Sequence, residues 1–143
     1  MKPRWGLGRL PATVGRPRAY FEKRDILVDC RGPVEIDRTA RLGFGVVILT
    51  ESHDVSRGPG RMGPVVPYGV RIGPGAWIGS GVLLAGCEIG AGAIVAAGSV
   101  VRGQTVAPGV MVAGNPARVI ARWDGERWVY LPVEVSDYER ELR

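Results

Sequence analysis

Between Ile72 and Val101 an aliphatic residue returns every six residues, apart from one step of five between Leu84 and Ile89. A glycine or alanine follows most of these aliphatic positions. The positions are Ile72, Ile78, Leu84, Ile89, Val95 and Val101. Self-similarity at a short fixed period indicates a solenoid, and a six-residue period is typical of a parallel β-helix. This repeat constrains the fold more than any other feature of the chain.

The six-residue period has a direct structural meaning. It matches neither the 3.6-residue period of an α-helix nor the two-residue alternation of a half-buried strand. It suits a prism-shaped coil in which each unit forms one flat face and one corner, with its aliphatic residue pointing inward. Three faces make a coil of about eighteen residues, and successive coils stack roughly 4.8 Å apart. We interpret the five-residue step before Ile89 as a local distortion of one corner.

Length and composition place the chain in one class. Its 143 residues form one domain with tails, and the strict period indicates an ordered repeat despite 22 glycines and 11 prolines. Cys30 and Cys87 lie far apart, so we expect reduced thiols in a cytoplasmic protein. With one histidine and no CxxC spacing, no metal site is expected. No apolar run is long enough for a membrane span or a secretion signal.

We divide the chain into a basic arm at 1–24, a repeat domain at 25–120 and a cap at 121–143. The arm carries seven basic residues against one acidic residue, within a net charge of +5. Its Pro, Gly and Arg content predicts an irregular, solvated segment, although attraction to a polyanionic ligand remains open. The chain contains no nucleic-acid-binding motif, so nucleic acid is not an expected partner.

The repeat domain is interrupted once. The first coil contains Ile36, Leu42 and Ile48, which are six residues apart. We expect this coil to cover Ile36 to His53. Residues 54–65 keep no period and are rich in turn-forming residues, so they predict an external loop that leaves the prism at a corner. Val66 lies six residues before Ile72 and is expected to resume the register.

The sequence also predicts where the repeat ends and what covers its end. Asn115-Pro116 is a pair that redirects the chain, so we expect the solenoid to end there. Asp-Gly between Trp123 and Trp128 predicts a hairpin. The run SDYE at 136–139 resembles a capping box that opens a short helix. Hairpin and helix would cover the open end of the solenoid, which otherwise invites strand addition.

His53 is the only histidine of the chain and stands directly before the predicted loop. Imidazole titrates near neutral pH without help, which makes His53 the candidate general base. A lone histidine is more often structural or simply exposed, and that alternative stays open. Its place beside a loop on a solenoid favours a cleft, and Glu51 or Asp54 is expected to orient the ring.

Together with the hexapeptides, four short runs carry a resemblance. They are SHD at 52–54, GAWIGSG at 75–81, AAGSVV at 96–101 and AGNPARVI at 113–120. Over residues 34–122 the chain resembles the hexapeptide-repeat acyltransferases, and most closely the galactoside, maltose and exopolysaccharide-type O-acetyltransferases. The resemblance implies an all-β, left-handed parallel β-helix. It also implies a homotrimer that binds acetyl-CoA, as co-substrate and without a metal, in grooves between subunits.

The resemblance assigns roles to individual residues. His53 matches the catalytic histidine that takes the proton from an acceptor hydroxyl. Ser80 matches a position whose backbone amide faces the acyl group and acts as an oxyanion-hole donor. Trp77 matches a tryptophan that lines the site, although it equally suits a large corner residue that shields the core.

The resemblance also outlines a cofactor groove. Ala97 and Gly98 match small positions beside the pantetheine arm, although such residues also serve as ordinary corners of the repeat. Gly79 is a further expected cofactor-binding residue. Arg118 matches a basic residue near the CoA phosphates, and Arg102 and Arg122 lie near other phosphate-contacting positions. Related sugar acetyltransferases commonly carry Thr-Lys where this chain has Arg102-Gly103.

The sequence thus favours an acetyl-CoA-dependent O-acetyltransferase that acts by direct transfer on a sugar or glycan hydroxyl. Two alternatives remain open. One is N-acetylation of an amino sugar or another amine, which needs the same base and a different acceptor pocket. The other is a non-catalytic β-helix scaffold, for which neither His53 nor the AGNPAR run would be needed.

Overall fold

The computed structural model describes residues 12–132, which form a parallel β-helix with a short helical segment at its start. A 3-10 turn at Ala12–Val14 precedes helix α1 (Arg18–Glu22). The strands are, in chain order, β1 (Leu27–Val28), β2 (Val34–Ile36), β3 (Arg41–Leu42), β4 (Val47–Leu49), β5 (Glu51–His53), β6 (Val65–Pro67), β7 (Val70–Ile72), β8 (Trp77–Ile78), β9 (Leu83–Ala85), β10 (Glu88–Ile89), β11 (Ile94–Val95), β12 (Val100–Arg102), β13 (Thr105–Val106), β14 (Val110–Gly114), β15 (Ala117–Trp123) and β16 (Trp128–Tyr130). Within this part of the chain, no helix is long and apolar enough to cross a membrane.

The coil has three faces. Face A consists of β1, β4, β9 and β12, and face B consists of β2, β7, β10 and β13. Face C begins with β3, β8, β11 and β14, and β15 and β16 extend it. All strand pairs of faces A and B are parallel, as are the pairs of face C up to β14. The parallel β-helix predicted from the repeat is confirmed.

The aliphatic positions of the repeat form the core. From Ile72 to Val101 each of them is at most 2% exposed. On face A the register stacks Ile48 on Leu84 and Leu84 on Val101. A second inward position lies two residues before each of them, because side chains of a strand alternate between its faces. This position holds Val70, Ala76, Val82, Cys87, Ala93 and Ser99, all buried.

Each regular coil is 17 residues long. On face B, Glu88 pairs with Arg71 in the preceding coil and with Thr105 in the next, so both steps are 17 residues. The five-residue step before Ile89 returns between Val101 and Val106, at the same corner between faces A and B. The prediction of one local distortion in an eighteen-residue coil is therefore wrong: the short corner belongs to the repeat.

The external loop is a hairpin that leaves the coil between β4 on face A and β7 on face B. Its stems β5 and β6 are antiparallel, with His53 opposite Val65. The loop predicted at 54–65 is confirmed, and the excursion includes both stems. Val66 does not resume the register, because it lies in β6 and is 48% exposed. The inward positions resume at Val70 and Ile72.

The described part of the N-terminal arm differs from the irregular segment that was predicted. Its helical residues pack on the first coil, where Val14 is 2% exposed and Phe21 is completely buried. The hydroxyl of Tyr20 accepts a hydrogen bond of 2.9 Å from the amide of Leu42. Burial of these apolar side chains covers the open N-terminal end of the core. Residues 1–11 lie outside the described part.

At the other end the chain turns back at Asn115-Pro116, and β14 pairs antiparallel with β15. The solenoid ends there, as predicted. The hairpin predicted around Asp124-Gly125 is confirmed, since β15 pairs with β16 and Trp123 lies opposite Trp128. Their rings meet edge to face at 5.7 Å between centroids. The helix predicted at 136–139 lies outside the described residues.

Candidate active site

His53 lies at the end of β5, and its ring is exposed at the base of the hairpin. Its Nδ1 atom is 3.0 Å from the carbonyl oxygen of Gly63. A carbonyl oxygen can only accept, so the neutral ring carries its proton on Nδ1 and donates it to Gly63. This tautomer leaves the lone pair of Nε2 free. A free Nε2 lone pair on an exposed imidazole is what a general base requires.

The hairpin backbone brings Gly63 to the ring. The amide of Gly63 donates to the carbonyl of Asp54 at 2.7 Å, and the amide of Asp54 donates to Pro64 at 2.9 Å. A Cβ at Gly63 would lie 2.8 Å from the Asp54 carbonyl oxygen, closer than packed atoms tolerate. Only glycine therefore allows the two strands to approach in this way. No sequence motif identified this residue.

The two carboxylates expected to orient the His53 ring are engaged elsewhere. Glu51 Oε1 lies 2.7 Å from Arg31 Nη1. Asp54 Oδ1 accepts the amide of Ser56 at 2.9 Å, and this hydrogen bond lowers the pKa of Asp54. The structure gives the orienting role to the Gly63 carbonyl instead, so a neutral acceptor and not a charge holds the ring.

A second group of predicted residues forms a column along the corner between faces C and A. The amide of Gly98 donates to the carbonyl of Ser80 at 2.9 Å, and the amide of Gly81 donates to Phe44 at 2.8 Å. Phe44, Ser80 and Ala97 therefore occupy equivalent places in three successive coils. All three residues are exposed, so the column lies on the surface of the coil.

The Ser80 amide is an available hydrogen-bond donor. The neighbouring amides are both paired: Gly79 donates to the carbonyl of Val95 and Gly81 donates to the carbonyl of Phe44, each at 2.8 Å. Among residues 12–132 the Ser80 amide itself has no acceptor. Gly43 of the preceding coil packs closely on Ser80, because a Cβ there would lie 2.6 Å from both Ser80 N and Ser80 Oγ. The arrangement suits the oxyanion role predicted for Ser80.

The small residues of the column have separate reasons to be small. A Cβ at Gly79 would lie 2.5 Å from the amide of Ala97, so close approach of the coils requires glycine there. Gly98 has a φ of +72° with open space around it, so its backbone conformation requires glycine. Ala97 is exposed beside them. These requirements for small residues arise from the repeat itself.

Trp77 lies on the outer surface of face C, with its side chain 56% exposed. It pairs in register with Arg41 and Ile94 of the neighbouring coils. The core beneath it is closed by Ala76 and Ile78, which are fully buried. Trp77 therefore does not shield the core, and its exposed ring is available to a ligand.

Two of the three predicted phosphate-binding arginines lie together. Arg118 and Arg122 line a cleft of about 460 Å³ at the C-terminal end of the coil. Val106, Val110 and Val112 also line this cleft, and the two guanidinium groups give it a positive rim. Arg102 is exposed at the end of β12 and is not part of the cleft lining.

The structure does not bring His53 and the corner column together within one chain. The hairpin leaves the coil where face A meets face B, whereas Ser80 and Ala97 lie where face C meets face A. The full width of face A separates the two corners.

Neither cysteine offers a reactive nucleophile. Both are free thiols, with Cys30 half-buried and Cys87 buried. Burial raises the pKa of Cys87 to about 12, and burial followed by the nearby Asp29 charge raises the pKa of Cys30. Both groups are therefore neutral thiols at physiological pH. Among the described residues, no group of three or more potential metal ligands is clustered.

Comparison with known proteins agrees with this fold. Residues 69–103 match the family model described as bacterial transferase hexapeptide (six repeats). A maltose O-acetyltransferase from Clostridium difficile 630 is 33% identical, with a TM-score of 0.57, over 64% of this chain and 49% of that one. A search of curated proteins found no significant match.

A mutant of AntD, an N-acyltransferase from Bacillus cereus, has a TM-score of 0.56 at 22% identity, over 66% of this chain and 57% of that one. Its structure contains dTDP-4-amino-4,6-dideoxyglucose and coenzyme A. At this identity the likeness concerns the fold alone. The resemblance to hexapeptide-repeat acyltransferases is confirmed, and the fold agrees with a left-handed β-helix. The chain spans about half the length of the maltose O-acetyltransferase.

Proposed function

We propose that this hexapeptide-repeat β-helix protein is an acetyl-CoA-dependent O-acetyltransferase that acts on a sugar or glycan hydroxyl. The observation that carries the proposal is the His53 ring, whose Nδ1 is held by Gly63 at 3.0 Å and whose Nε2 is free as a base. The likeness to a maltose O-acetyltransferase at 33% identity supports hydroxyl acceptors.

The reaction is a direct transfer. Nε2 of His53 takes the proton of the acceptor hydroxyl while its oxygen attacks the thioester carbonyl carbon. The negative charge that develops on the carbonyl oxygen accepts a hydrogen bond from the Ser80 amide, a contribution of about 3 kcal/mol for one such donor. As the carbon–sulfur bond breaks, the imidazolium returns the proton to sulfur. The products are the acetyl ester and the free thiol of CoA.

The proposed acetyl-CoA path follows the corner column. The pantetheine arm lies along Ala97 and Gly98, where no side chain beyond a methyl group obstructs it. The phosphates lie toward Arg118 and Arg122, which rim the cleft at the C-terminal end. Guanidinium groups suit this role because they pair with phosphate oxygens through two parallel hydrogen bonds. Trp77 borders the path with an exposed ring.

We propose further that the active enzyme is a homotrimer with its sites between neighbouring subunits. The separation of the two corners by face A supports this assembly, because His53 of one copy can approach the corner column of the next. Exposed Val65 and Val66 on the hairpin stem, 46% and 48% exposed, are suited to contact that neighbour.

The proposal is tested with acetyl-CoA and a panel of sugars, glycans and amines, by following release of the CoA thiol. We expect acceptor-dependent release with a hydroxyl acceptor, above the hydrolysis measured without acceptor. Hydroxylamine treatment of the product distinguishes an ester, which is cleaved, from an amide, which resists. Amide products alone would establish N-acetylation instead, and no acceptor-dependent release would overturn the proposed activity.

A further inference from the structure

We propose that Arg31, held by Asp29, clamps Glu51 and thereby positions the hairpin that carries His53. The inference rests on the proposed function of His53 as the base. The hairpin leaves the coil immediately before Glu51, and its two antiparallel strands form a small sheet of their own. A two-stranded ribbon is marginally stable by itself, so its direction depends on contacts at its root.

Asp29 is the fixed part of the clamp. It follows β1, its amide donates to Ile48 at 2.8 Å, and it is 6% exposed. Its Oδ1 atom accepts the amide of Arg31 at 3.2 Å and Arg31 Nε at 3.0 Å. Partial burial raises the pKa of this carboxyl, but the hydrogen bonds from Arg31 and Thr50 outweigh it and leave the pKa below its usual value. Asp29 is therefore ionised at neutral pH.

Arg31 connects Asp29 to the hairpin. While its Nε contacts Asp29, its Nη1 lies 2.7 Å from Glu51 Oε1. The Glu51 side chain is only 11% exposed. Glu51 and His53 are two residues apart in β5, so their side chains leave the strand on the same face. One guanidinium group thus ties the coil to the strand face that carries the base.

Thr50 supplies a second attachment next to the clamp. Its hydroxyl donates to the Asp29 carbonyl at 2.9 Å and accepts the amide of Gly32 at 2.9 Å. Its carbonyl accepts the amide of Tyr68, at the returning end of the hairpin, at 2.7 Å. Thr50 fixes where the hairpin leaves, and the contact at Glu51 fixes its direction.

The clamp is expected to influence the reaction more than the stability of the fold. The Arg31 side chain is 72% exposed, which limits the contribution of the pair to stability, although its partners Asp29 and Glu51 are 8% and 11% exposed, so its removal also lowers stability to some extent. Catalysis is more sensitive, because misplacing a reacting group by about 1 Å lowers the rate on the order of a hundredfold. The chain offers a control in Arg71, whose pair with Glu35 at 2.8 Å lies on face B outside the hairpin, with side chains 61% and 53% exposed.

The test compares Arg31→Ala with Arg71→Ala in the full chain. Hydrogen exchange, measured by mass spectrometry on peptides covering residues 51–66, is expected to be at least about tenfold faster in Arg31→Ala and unchanged in Arg71→Ala. Glu51→Ala is expected to behave like Arg31→Ala, whereas Glu51→Gln retains an oxygen acceptor and most of the protection. Unchanged exchange in Arg31→Ala, or equal acceleration in the control, would overturn the clamp.

Kinetics provide the second readout. In Arg31→Ala we expect kcat to fall about tenfold with KM for acetyl-CoA within twofold of the wild type, since Ala97 and Gly98, the proposed pantetheine contacts, lie at the other corner. Wild-type kcat in Arg31→Ala would also refute the clamp. If the wild-type protein transfers acetyl to no acceptor, the proposed function fails, and the exchange measurement still decides whether Arg31 holds the hairpin.

Discussion

The Nδ1 atom of His53 donates to the carbonyl oxygen of Gly63 at 3.0 Å, across the hairpin that interrupts the repeat. The partner is an uncharged backbone group, in contrast to the carboxylate that often orients a catalytic imidazole. Because it cannot release a proton or change its charge, it fixes the tautomer at any pH at which the ring is neutral. The position of the His53 ring, the proposed base, therefore depends on the geometry of the hairpin.

Replacing His53 tests its assignment as the base. We expect His53→Ala to lower acetyl transfer by about a hundredfold or more, the usual contribution of a general base. The side chain is exposed, so the melting temperature should remain close to that of the wild type. Acceptor-dependent turnover measured beside thermal unfolding checks both expectations. Wild-type turnover in this variant would exclude His53 as the base.

Gly43→Ala tests the Ser80 amide as oxyanion donor. The new Cβ would lie 2.6 Å from Ser80 N and Ser80 Oγ, so Ser80 has to shift and its amide leaves the position proposed for the oxyanion donor. We expect kcat to fall by about a hundredfold, as for the loss of one oxyanion donor. Steady-state kinetics with acetyl-CoA provide the measurement.

Gly45→Ala is the matched control for that variant. Gly45 has a φ of +66°, so alanine there strains the backbone by about 1 kcal/mol, but nothing lies within 4 Å of the added Cβ. The control should lose stability and keep its kcat once it is folded. Equal losses of kcat in both variants would attribute the effect to backbone strain and remove the oxyanion role.

Much of the fold is predictable because every unit of the repeat meets the same geometric requirement. An aliphatic side chain must return to the interior at each face, and Ile72, Ile78 and Leu84 show this without any tertiary information. The recurring five-residue corner was also present in the sequence, in the step from Val101 to Val106, just beyond the stretch in which the period is clearest. The prediction at Val66 failed because a strand of an antiparallel hairpin carries the same residue types as a strand of the coil.

The site was less predictable, since its partners are distant in sequence or belong to the backbone. Gly63 orients His53 through a carbonyl oxygen, which every residue possesses and no motif records. Arg31 reaches Glu51 from a corner 20 residues earlier in the chain. Phe21 is completely buried although it lies in a segment whose Arg, Pro and Gly content suggested solvent exposure. Whether a residue such as Phe21 is buried depends on the side chains that pack against it, and local composition does not reveal them.

Arg118 tests the proposed phosphate cleft. We expect Arg118→Ala to weaken CoA binding about tenfold, because a charge-assisted pair with phosphate is lost from an exposed rim. Arg122→Ala should have a similar effect, since both side chains line the same cleft. Arg127→Ala, which removes an exposed guanidinium in the turn between β15 and β16, is the control. Calorimetric titration with CoA is the measurement, and equal affinity for all four proteins would reject the cleft as the phosphate site.

Val70 and Val66 test where the chain rejoins the coil after the hairpin. Val70 is 2% exposed and Val66 is 48% exposed, so the same Val→Ala change removes a core side chain at one position and a surface side chain at the other. We expect Val70→Ala to lower the free energy of unfolding by about 2 kcal/mol, from lost burial and the cavity that remains. Val66→Ala should change the free energy of unfolding by no more than about 0.5 kcal/mol.

Denaturant unfolding at constant protein concentration measures both variants, because assembly would otherwise shift the midpoint. A larger loss at Val66 than at Val70 would mean that the register resumes one unit earlier, as the six-residue spacing alone predicts.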